Sequence, residues 1–175
     1  VQAAGAGVHV LCEKPLAVTD DECTAMIDAC RAADVRLMTA YRLHFDPITL
    51  AVLEHAHGGR LGELRYFAAA FSMRATPGGI RTRPETGGGV LYDLGIYCIN
   101  AARMLFGTEP RRVSAHAVHG HRSGMPDVDE TTAVALHFDG DRLATFTASF
   151  DAADVSTYRI VGTDEGGEDP DFTDD

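Results

Sequence analysis

The spacing of apolar positions changes near residue 41. Before that point, short apolar runs at residues 8–12 and 36–41 are typical of buried strands. Between them, Thr19 followed three residues later by Glu22 predicts the start of an amphipathic helix, and an Ala-rich helix closed by Gly7 precedes the first strand. The order helix, strand, helix, strand is the repeating unit of an open parallel sheet.

After residue 41 the pattern favours longer strands. We predict helices at 47–57 and 89–106, a Gly-, Pro- and Arg-rich loop at 76–86, and strands at 64–73, 112–118, 132–138, 143–150 and 156–161. Asp139-Gly140 between two of these strands predicts a hairpin turn. The fold class is therefore α/β (α+β), in which the end of a parallel sheet precedes an open, mostly antiparallel sheet with a helix on one face.

Composition and charge exclude several classes of partner. The 175 residues, of which 45% are apolar, can bury a hydrophobic core. A net charge of -11 argues against nucleic acid and anionic membranes as partners. No apolar run approaches the roughly 18 residues of a membrane-spanning helix, which favours a cytoplasmic protein. Export to the periplasm stays open, because a chain that begins within a domain shows no leader.

Cysteines and histidines give no pattern typical of a metal site. Four cysteines lie in predicted strands or helices: Cys12, Cys23, Cys30 and Cys98. Because none of them forms a C-x-x-C pair, we expect buried free thiols rather than disulfides or zinc ligands. Three histidines lie near one another, on a predicted strand and just after it: His116, His119 and His121. They lack an acidic or Cys partner, so we expect no bound metal.

Lys14 follows the first predicted strand, at the end where open α/β sheets bind their ligands. Pro15 restricts the lysine to extended geometry, and a cis bond between them is conceivable. A lysine held between a cofactor ring and a substrate hydroxyl could lower the pKa of that hydroxyl and orient it. The alternative is a solvated loop lysine.

Asp93 and Tyr97 are four residues apart in a helical pattern, so their side chains share one face. This is the geometry of a proton relay, in which the phenol exchanges a proton and the carboxylate accepts a hydrogen bond. The alternative is that Tyr97 belongs to the core and Asp93 is an acid favoured by the helix dipole. Glycines at 87–89 allow close backbone approach or form a flexible entry to the helix.

Three further side chains are candidates for the same cleft. Arg81 and Arg83, in the loop just before the helix, could clamp a polar substrate or a cofactor phosphate, although a solvated loop is expected for at least one of them. His44 follows the second predicted strand and could line the cleft, or it could be a satisfied structural histidine.

Three segments in the same order resemble the Gfo/Idh/MocA oxidoreductases: residues 8–15 (VHVLCEKP), 41–47 (YRLHFDP) and 87–97 (GGGVLYDLGIY). The resemblance implies an amino-terminal Rossmann domain followed by an α/β domain whose open sheet commonly mediates oligomers. Residues 1–40 would then be the carboxyl-terminal remnant of the Rossmann domain and 41–162 the substrate and oligomerisation domain. Residues 163–175 read as an acidic, disordered tail. A homo-oligomer is expected.

The resemblance also implies roles for individual residues. Lys14 matches the lysine that contacts nicotinamide and substrate, Asp93 the active-site acid, and Tyr97 the tyrosine that transfers a proton. The side chains assigned to the cofactor are Glu13, Lys14, Pro15 and Arg42, and those assigned to the substrate are Lys14, Asp93, Tyr97, Arg81 and His44.

By the same resemblance, the expected reaction is hydride transfer between NADP, or NAD, and a sugar or polyol. Many relatives carry His at the position of Tyr97, and tyrosine points to the branch with glucose-fructose oxidoreductase and NADP-dependent D-xylose dehydrogenase. No Gly-rich strand-to-helix turn precedes Lys14 in the sequence, since Gly5-Ala6-Gly7 lies before a strand. We therefore expect a fragment of a longer enzyme. The alternative is a non-catalytic sugar-binding or oligomerisation module, or a truncated inactive remnant.

Overall fold

The computed structural model describes residues 1–120 and 124–164. Its helices are α1 (Gln2–Gly5), α2 (Asp20–Ala32), α3 (Pro47–His57) and α4 (Ile96–Phe106). Its strands are β1 (Val10–Cys12), β2 (Leu37–Thr39), β3 (Leu64–Arg74), β4 (Arg112–Gly120), β5 (Met125–Phe138), β6 (Arg142–Ser149) and β7 (Asp151–Gly162). Short 3-10 turns lie at Arg42–Phe45, Ile80–Thr82 and Pro84–Thr86, and a π-turn at Leu91–Gly95 leads into α4.

The first part of the chain is a βαβ unit. β1 and β2 pair in parallel, with Val10 opposite Leu37, and α2 connects them. The predicted capping box is present: the Thr19 hydroxyl accepts from the Glu22 backbone N–H at 3.2 Å, and the Glu22 carboxylate accepts from the Thr19 N–H at 3.2 Å. Local hydrogen bonds thus fix where the connecting helix begins.

The second part is a five-stranded sheet in the order β4-β5-β6-β3-β7. β3 runs parallel to β6, and every other pair among these strands is antiparallel. The predicted fold class is therefore confirmed, including the mostly antiparallel second sheet. The predicted hairpin joins β5 to β6, with Phe138 opposite Arg142 and a positive φ of 75° at Gly140.

Three predicted boundaries were wrong. β5 begins at Met125 instead of 132, and β7 begins at Asp151 instead of 156. Both early segments are rich in acidic residues, and tertiary pairing overrides their weak strand propensity. The predicted helix 89–106 is divided, because the π-turn Leu91–Gly95 precedes the regular helix.

The core lies between α4 and one face of the larger sheet. The helix contributes Cys98, Ala102, Leu105 and Phe106, and the sheet contributes Phe67, Leu136, Phe138 and Phe146 among others. A second, smaller cluster contains Val90, Met125, Val128, Ala148 and Phe150. Each large side chain buried in this way contributes about 1.5–3 kcal/mol. The two clusters hold the π-turn and α4 against the strands.

All four cysteines are free thiols, but the expected burial holds only for Cys30 and Cys98 and was wrong for Cys12 and Cys23, which are partly exposed. Within residues 1–120 and 124–164, no three His, Cys, Asp or Glu side chains are close enough to hold a metal ion. No helix in this part of the chain is long and apolar enough to cross a bilayer. His121 and residues 165–175 of the predicted tail lie outside the described residues.

Candidate active site

Lys14 lies just beyond the end of β1, and its peptide bond to Pro15 is cis. The ammonium donates to Asp93 Oδ1 at 2.9 Å and to the Asp93 carbonyl oxygen at 2.7 Å. The lysine side chain is only 12% exposed. It is therefore not a solvated loop lysine, and its contacts connect the βαβ unit to a turn 79 residues further along the chain.

The Asp93 carboxylate lies between two cations. Oδ1 accepts from Lys14, and Oδ2 accepts from Arg81 Nε at 2.6 Å. The Asp93 side chain is 18% exposed, whereas that of Arg81 is 53% exposed. The Lys14–Asp93 ion pair is the more buried and the stronger of the two, since solvent screens the Arg81–Asp93 pair.

Tyr97 lies beside the same ammonium. Lys14 Nζ is 4.5 Å from the centroid of the Tyr97 ring, which is a cation–π distance. The π-turn ends at Gly95, so Asp93 and Tyr97 lie on either side of the junction with α4. Both side chains nevertheless contact the Lys14 ammonium. π-turns within helices are frequent at functional sites.

The three glycines let the preceding loop pack closely on the start of this helix. Gly88 N donates to Arg83 O at 2.9 Å, and Gly89 N donates to Arg81 O at 2.9 Å. A Cβ on Gly88 would lie 2.6 Å from the backbone N and O of Arg83, closer than any real side chain is found. This close approach places Arg81 beside Asp93. Arg83 instead pairs with Glu85 at 3.8 Å and is 47% exposed.

His44 lies on the turn Arg42–Phe45 and contacts the helix that carries Tyr97. Asn100 Nδ2 lies 2.7 Å from His44 Nε2, and the Tyr41 ring stacks on the imidazole at 5.7 Å between centroids. An amide nitrogen only donates, so Nε2 is the acceptor in this contact. Burial raises the pKa of Tyr41 above its ordinary value, with Arg103 acting in the opposite direction.

Two polar residues near the site were not among the predicted ones. Asn100, one turn after Tyr97 and 9% exposed, orients His44. Asp129, on β5, accepts from the Leu91 backbone N–H at 2.8 Å. A polar residue on the apolar face of a predicted helix was the available signal for Asn100. Asp129 gave no local signal, because its partner lies 38 residues away.

The predicted cofactor residues lie around the end of the parallel strands. Glu13 is exposed and accepts from the Lys14 backbone N–H at 3.3 Å, and Arg42 is exposed after β2. The Lys14 ammonium has three N–H donors. Among the described residues it has two acceptors, the carbonyl oxygen and the Oδ1 of Asp93. One donor of a nearly buried ammonium is thus left for a ligand oxygen. These residues lie at the carboxyl ends of two parallel strands, the place where open α/β sheets bind their ligands.

A βαβ unit is thus followed by a mostly antiparallel sheet, and a lysine, a carboxylate and a tyrosine lie at their junction. Residues 1–41 match the model of the oxidoreductase family with the NAD-binding Rossmann fold, and residues 49–166 match the GFO/IDH/MocA C-terminal domain. The chain belongs to the GFO/IDH/MocA oxidoreductase family, as its sequence motifs indicated.

Named relatives extend this comparison. The chain is 37% identical over 164 residues to D-xylose 1-dehydrogenase (NADP(+)) 2 of Haloferax volcanii, covering 93% of this chain and 49% of that protein. It is 36% identical over 157 residues to trans-1,2-dihydrobenzene-1,2-diol dehydrogenase of Danio rerio, covering 89% and 46%. The crystal structure of aldose-aldose oxidoreductase from Caulobacter crescentus, complexed with glycerol, superposes with a TM-score of 0.87 at 34% identity, covering 92% and 49%. The chain spans about half the length of these relatives.

Proposed function

We propose that this chain supplies the substrate side of an NADP-dependent oxidoreductase that oxidises a CH–OH group of an aldose or another polyol. The observation that carries the proposal is the Lys14 ammonium, held by Asp93 with one N–H left over and the Tyr97 ring beside it. We also propose that residues 1–40 end a dinucleotide-binding domain and that residues 41–162 form the substrate and oligomerisation domain.

NADP+, when bound, supplies the acceptor for the hydride that leaves the substrate carbon. The free N–H of Lys14 donates to the substrate oxygen and stabilises the negative charge that develops there. The Tyr97 phenol oxygen accepts the hydroxyl proton and passes its own proton to water, so the alcohol loses one hydride and one proton. Asp93 keeps the ammonium in place, and its remaining lone pairs can accept from a neighbouring sugar hydroxyl.

Other side chains are proposed to bind without taking part in the chemistry. Glu13, Pro15 and Arg42 would contact the cofactor. Arg81, more than half exposed beside Asp93, would donate to substrate hydroxyls, and so would the Nδ1–H of His44. NADP is preferred over NAD because the Haloferax volcanii relative is named for NADP(+).

Two features of the substrate and assembly follow from the same reasoning. A sugar is the favoured substrate, because the D-xylose dehydrogenase and the aldose-aldose oxidoreductase are 37% and 34% identical to this chain. A cyclic vicinal diol is the second candidate, because the dihydrobenzenediol dehydrogenase is 36% identical. Both substrates present adjacent hydroxyls. We propose that the open face of the larger sheet forms a homo-oligomer, since β5 and β6 expose alternate residues on the side away from the core, among them Ala133, His137, Thr145 and Thr147.

The test is the turnover of the native gene product with NADP+ and a panel of aldoses, polyols and cyclic trans-diols. Tyr97→Phe should lower kcat by about 100-fold or more, the scale of a positioned acid–base group. Tyr66→Phe is the control, because Tyr66 lies on β3, outside the candidate site, and is 41% exposed, so this variant is expected to keep its turnover. Full turnover in Tyr97→Phe would refute the assignment.

A further inference from the structure

We propose that Asp129 is a positioning residue for the reaction, acting through the start of the helix that carries Asp93 and Tyr97. Its catalytic consequence rests on the proposed function. The inference starts from a contact between distant parts of the chain. Asp129 lies on β5, and its carboxylate reaches the first residue of the π-turn.

One oxygen of Asp129 makes two hydrogen bonds. Oδ2 accepts from the Leu91 backbone N–H at 2.8 Å and from the Thr132 hydroxyl at 2.9 Å. The first N–H groups of a helix have no partner within it, and a carboxylate there both accepts a bond and complements the helix dipole. Val90, the residue at the N-cap of the turn, makes no such side-chain bond. A distant strand therefore supplies the cap.

A bulge in β5 accompanies this placement. Val118 on β4 lies opposite Thr131, and His119 lies opposite Asp129, so Glu130 is an extra residue in the pairing. Bulges redirect side chains and are common beside active sites. The irregularity therefore coincides with the residue whose carboxylate caps the turn.

The glycine at position 89 is matched to the same carboxylate. A Cβ built on Gly89 would lie 2.0 Å from Asp129 Oδ1, and the residue has φ of +121°. No other residue type fits there without moving the acid or the backbone. The carbonyl oxygen of Gly89 in turn accepts from the Asp93 backbone N–H at 3.2 Å. The backbone beside the Asp129 carboxylate is therefore hydrogen-bonded directly to Asp93, the residue that binds Lys14.

Packing makes the contact rigid. Val90 precedes Leu91 and Val128 precedes Asp129 in the sequence. Both valines are buried in the smaller hydrophobic cluster, at 0% and 4% exposure, and Leu94 packs against this cluster. The turn is therefore fixed by a hydrogen bond and by apolar contact at the same place. Loss of the carboxylate should let Asp93 and Tyr97 shift relative to Lys14, and a misplacement of about 1 Å can cost on the order of 100-fold in rate.

The experiment compares Asp129→Ala, Asp129→Asn and the control Asp127→Ala in the full-length product of the native gene. Asp127 is an exposed acid two residues earlier on the same strand. Each variant is assayed for kcat and KM per folded molecule, for exchange of the Leu91 amide proton, and for the NMR signal of the Lys14 ammonium. The folded fraction is taken from thermal unfolding.

Asp129→Ala should lower kcat by about 10- to 100-fold with a smaller change in KM, speed exchange at Leu91, and shift the Lys14 signal. Asp129→Asn keeps an acceptor for Leu91 and should recover most of the turnover, and Asp127→Ala should resemble wild type. Wild-type kcat in folded Asp129→Ala, or an unshifted Lys14 signal, would overturn the proposal. If the wild-type protein oxidises none of the substrates, the proposed function fails, and the Lys14 signal alone then decides whether Asp129 positions the site.

Discussion

Replacing Lys14 by Met and Asp93 by Asn, singly and together, measures how strongly the candidate site holds its ammonium. The two side chains are 12% and 18% exposed and join through a 2.9 Å ion pair. The double-mutant cycle subtracts the effects that each replacement has on its own surroundings and leaves the pairwise free energy.

The expected coupling follows from the two contacts of Lys14. A hydrogen bond to a charged group contributes about 1.5–3 kcal/mol, and a neutral one about 0.5–1.5 kcal/mol. Asn at position 93 can still accept from Lys14, and the backbone carbonyl bond at 2.7 Å is unchanged, so the replacement removes mainly the charge. We therefore expect a coupling of about 1–2 kcal/mol, above the exposed-pair range of about 0–1 kcal/mol.

Urea unfolding followed by far-UV circular dichroism suits this protein, because the chain has no Trp. The matched control is the cycle of Arg31→Met with Asp28→Asn, an i,i+3 pair whose side chains are 77% and 63% exposed. Its coupling should be about 0.2–0.5 kcal/mol and should vanish near 1 M salt, whereas most of the Lys14–Asp93 coupling should persist. A Lys14–Asp93 coupling no larger than the control would refute the view that the site is organised around this ion pair.

Two further predictions concern titration and thiol chemistry. The pKa of Asp46 is lowered mainly by hydrogen bonds from the Thr49 backbone N–H and hydroxyl. The stability that Asp46 gives by capping α3 is therefore fully present above the ordinary aspartate pKa and is lost as the pH falls through the lowered pKa. Asp46→Asn should remove this part of the acid dependence in unfolding curves measured from pH 6 downwards. Burial raises the pKa of the Cys98 thiol to about 12, so a disulfide reagent at pH 8 should label Cys12 and Cys23 first and Cys98 only after unfolding; fast labelling of native Cys98, read by mass spectrometry, would contradict its burial.

Elements with local signals were predictable from the sequence. The start of α2 was predicted because Thr19 and Glu22 satisfy each other within one turn. The helix predicted at 47–57 is α3, and its start is likewise local: Asp46 accepts from the Thr49 backbone N–H, and Pro47 is the first residue of the helix. Hydrogen bonds between near neighbours depend little on the rest of the molecule, so a short segment is enough to specify them.

Long-range contacts decided what the sequence could not show. The spacing of Asp93 and Tyr97 predicted a shared face, but not that the carboxylate would lie between Lys14 and Arg81. The extension of β5 to Met125 depends on pairing with β4 and on burial in the second cluster. Such contacts join residues separated by tens of positions, and no local propensity encodes them.

The candidate site exists only where the two sheets of the chain meet. The loop after β1 contributes Lys14, and in the same loop the carbonyl of Val18 accepts from the hydroxyl of Tyr92 on the π-turn at 3.4 Å. A Cβ on Gly87 would lie 3.2 Å from the Val18 side chain, so a larger residue at position 87 would crowd this approach of the two segments. Ligand sites occur preferentially at such junctions. The lysine comes from one sheet, whereas its acid and tyrosine come from the π-turn and α4 on the other. Any change that separates the sheets should therefore abolish the site before it unfolds either of them.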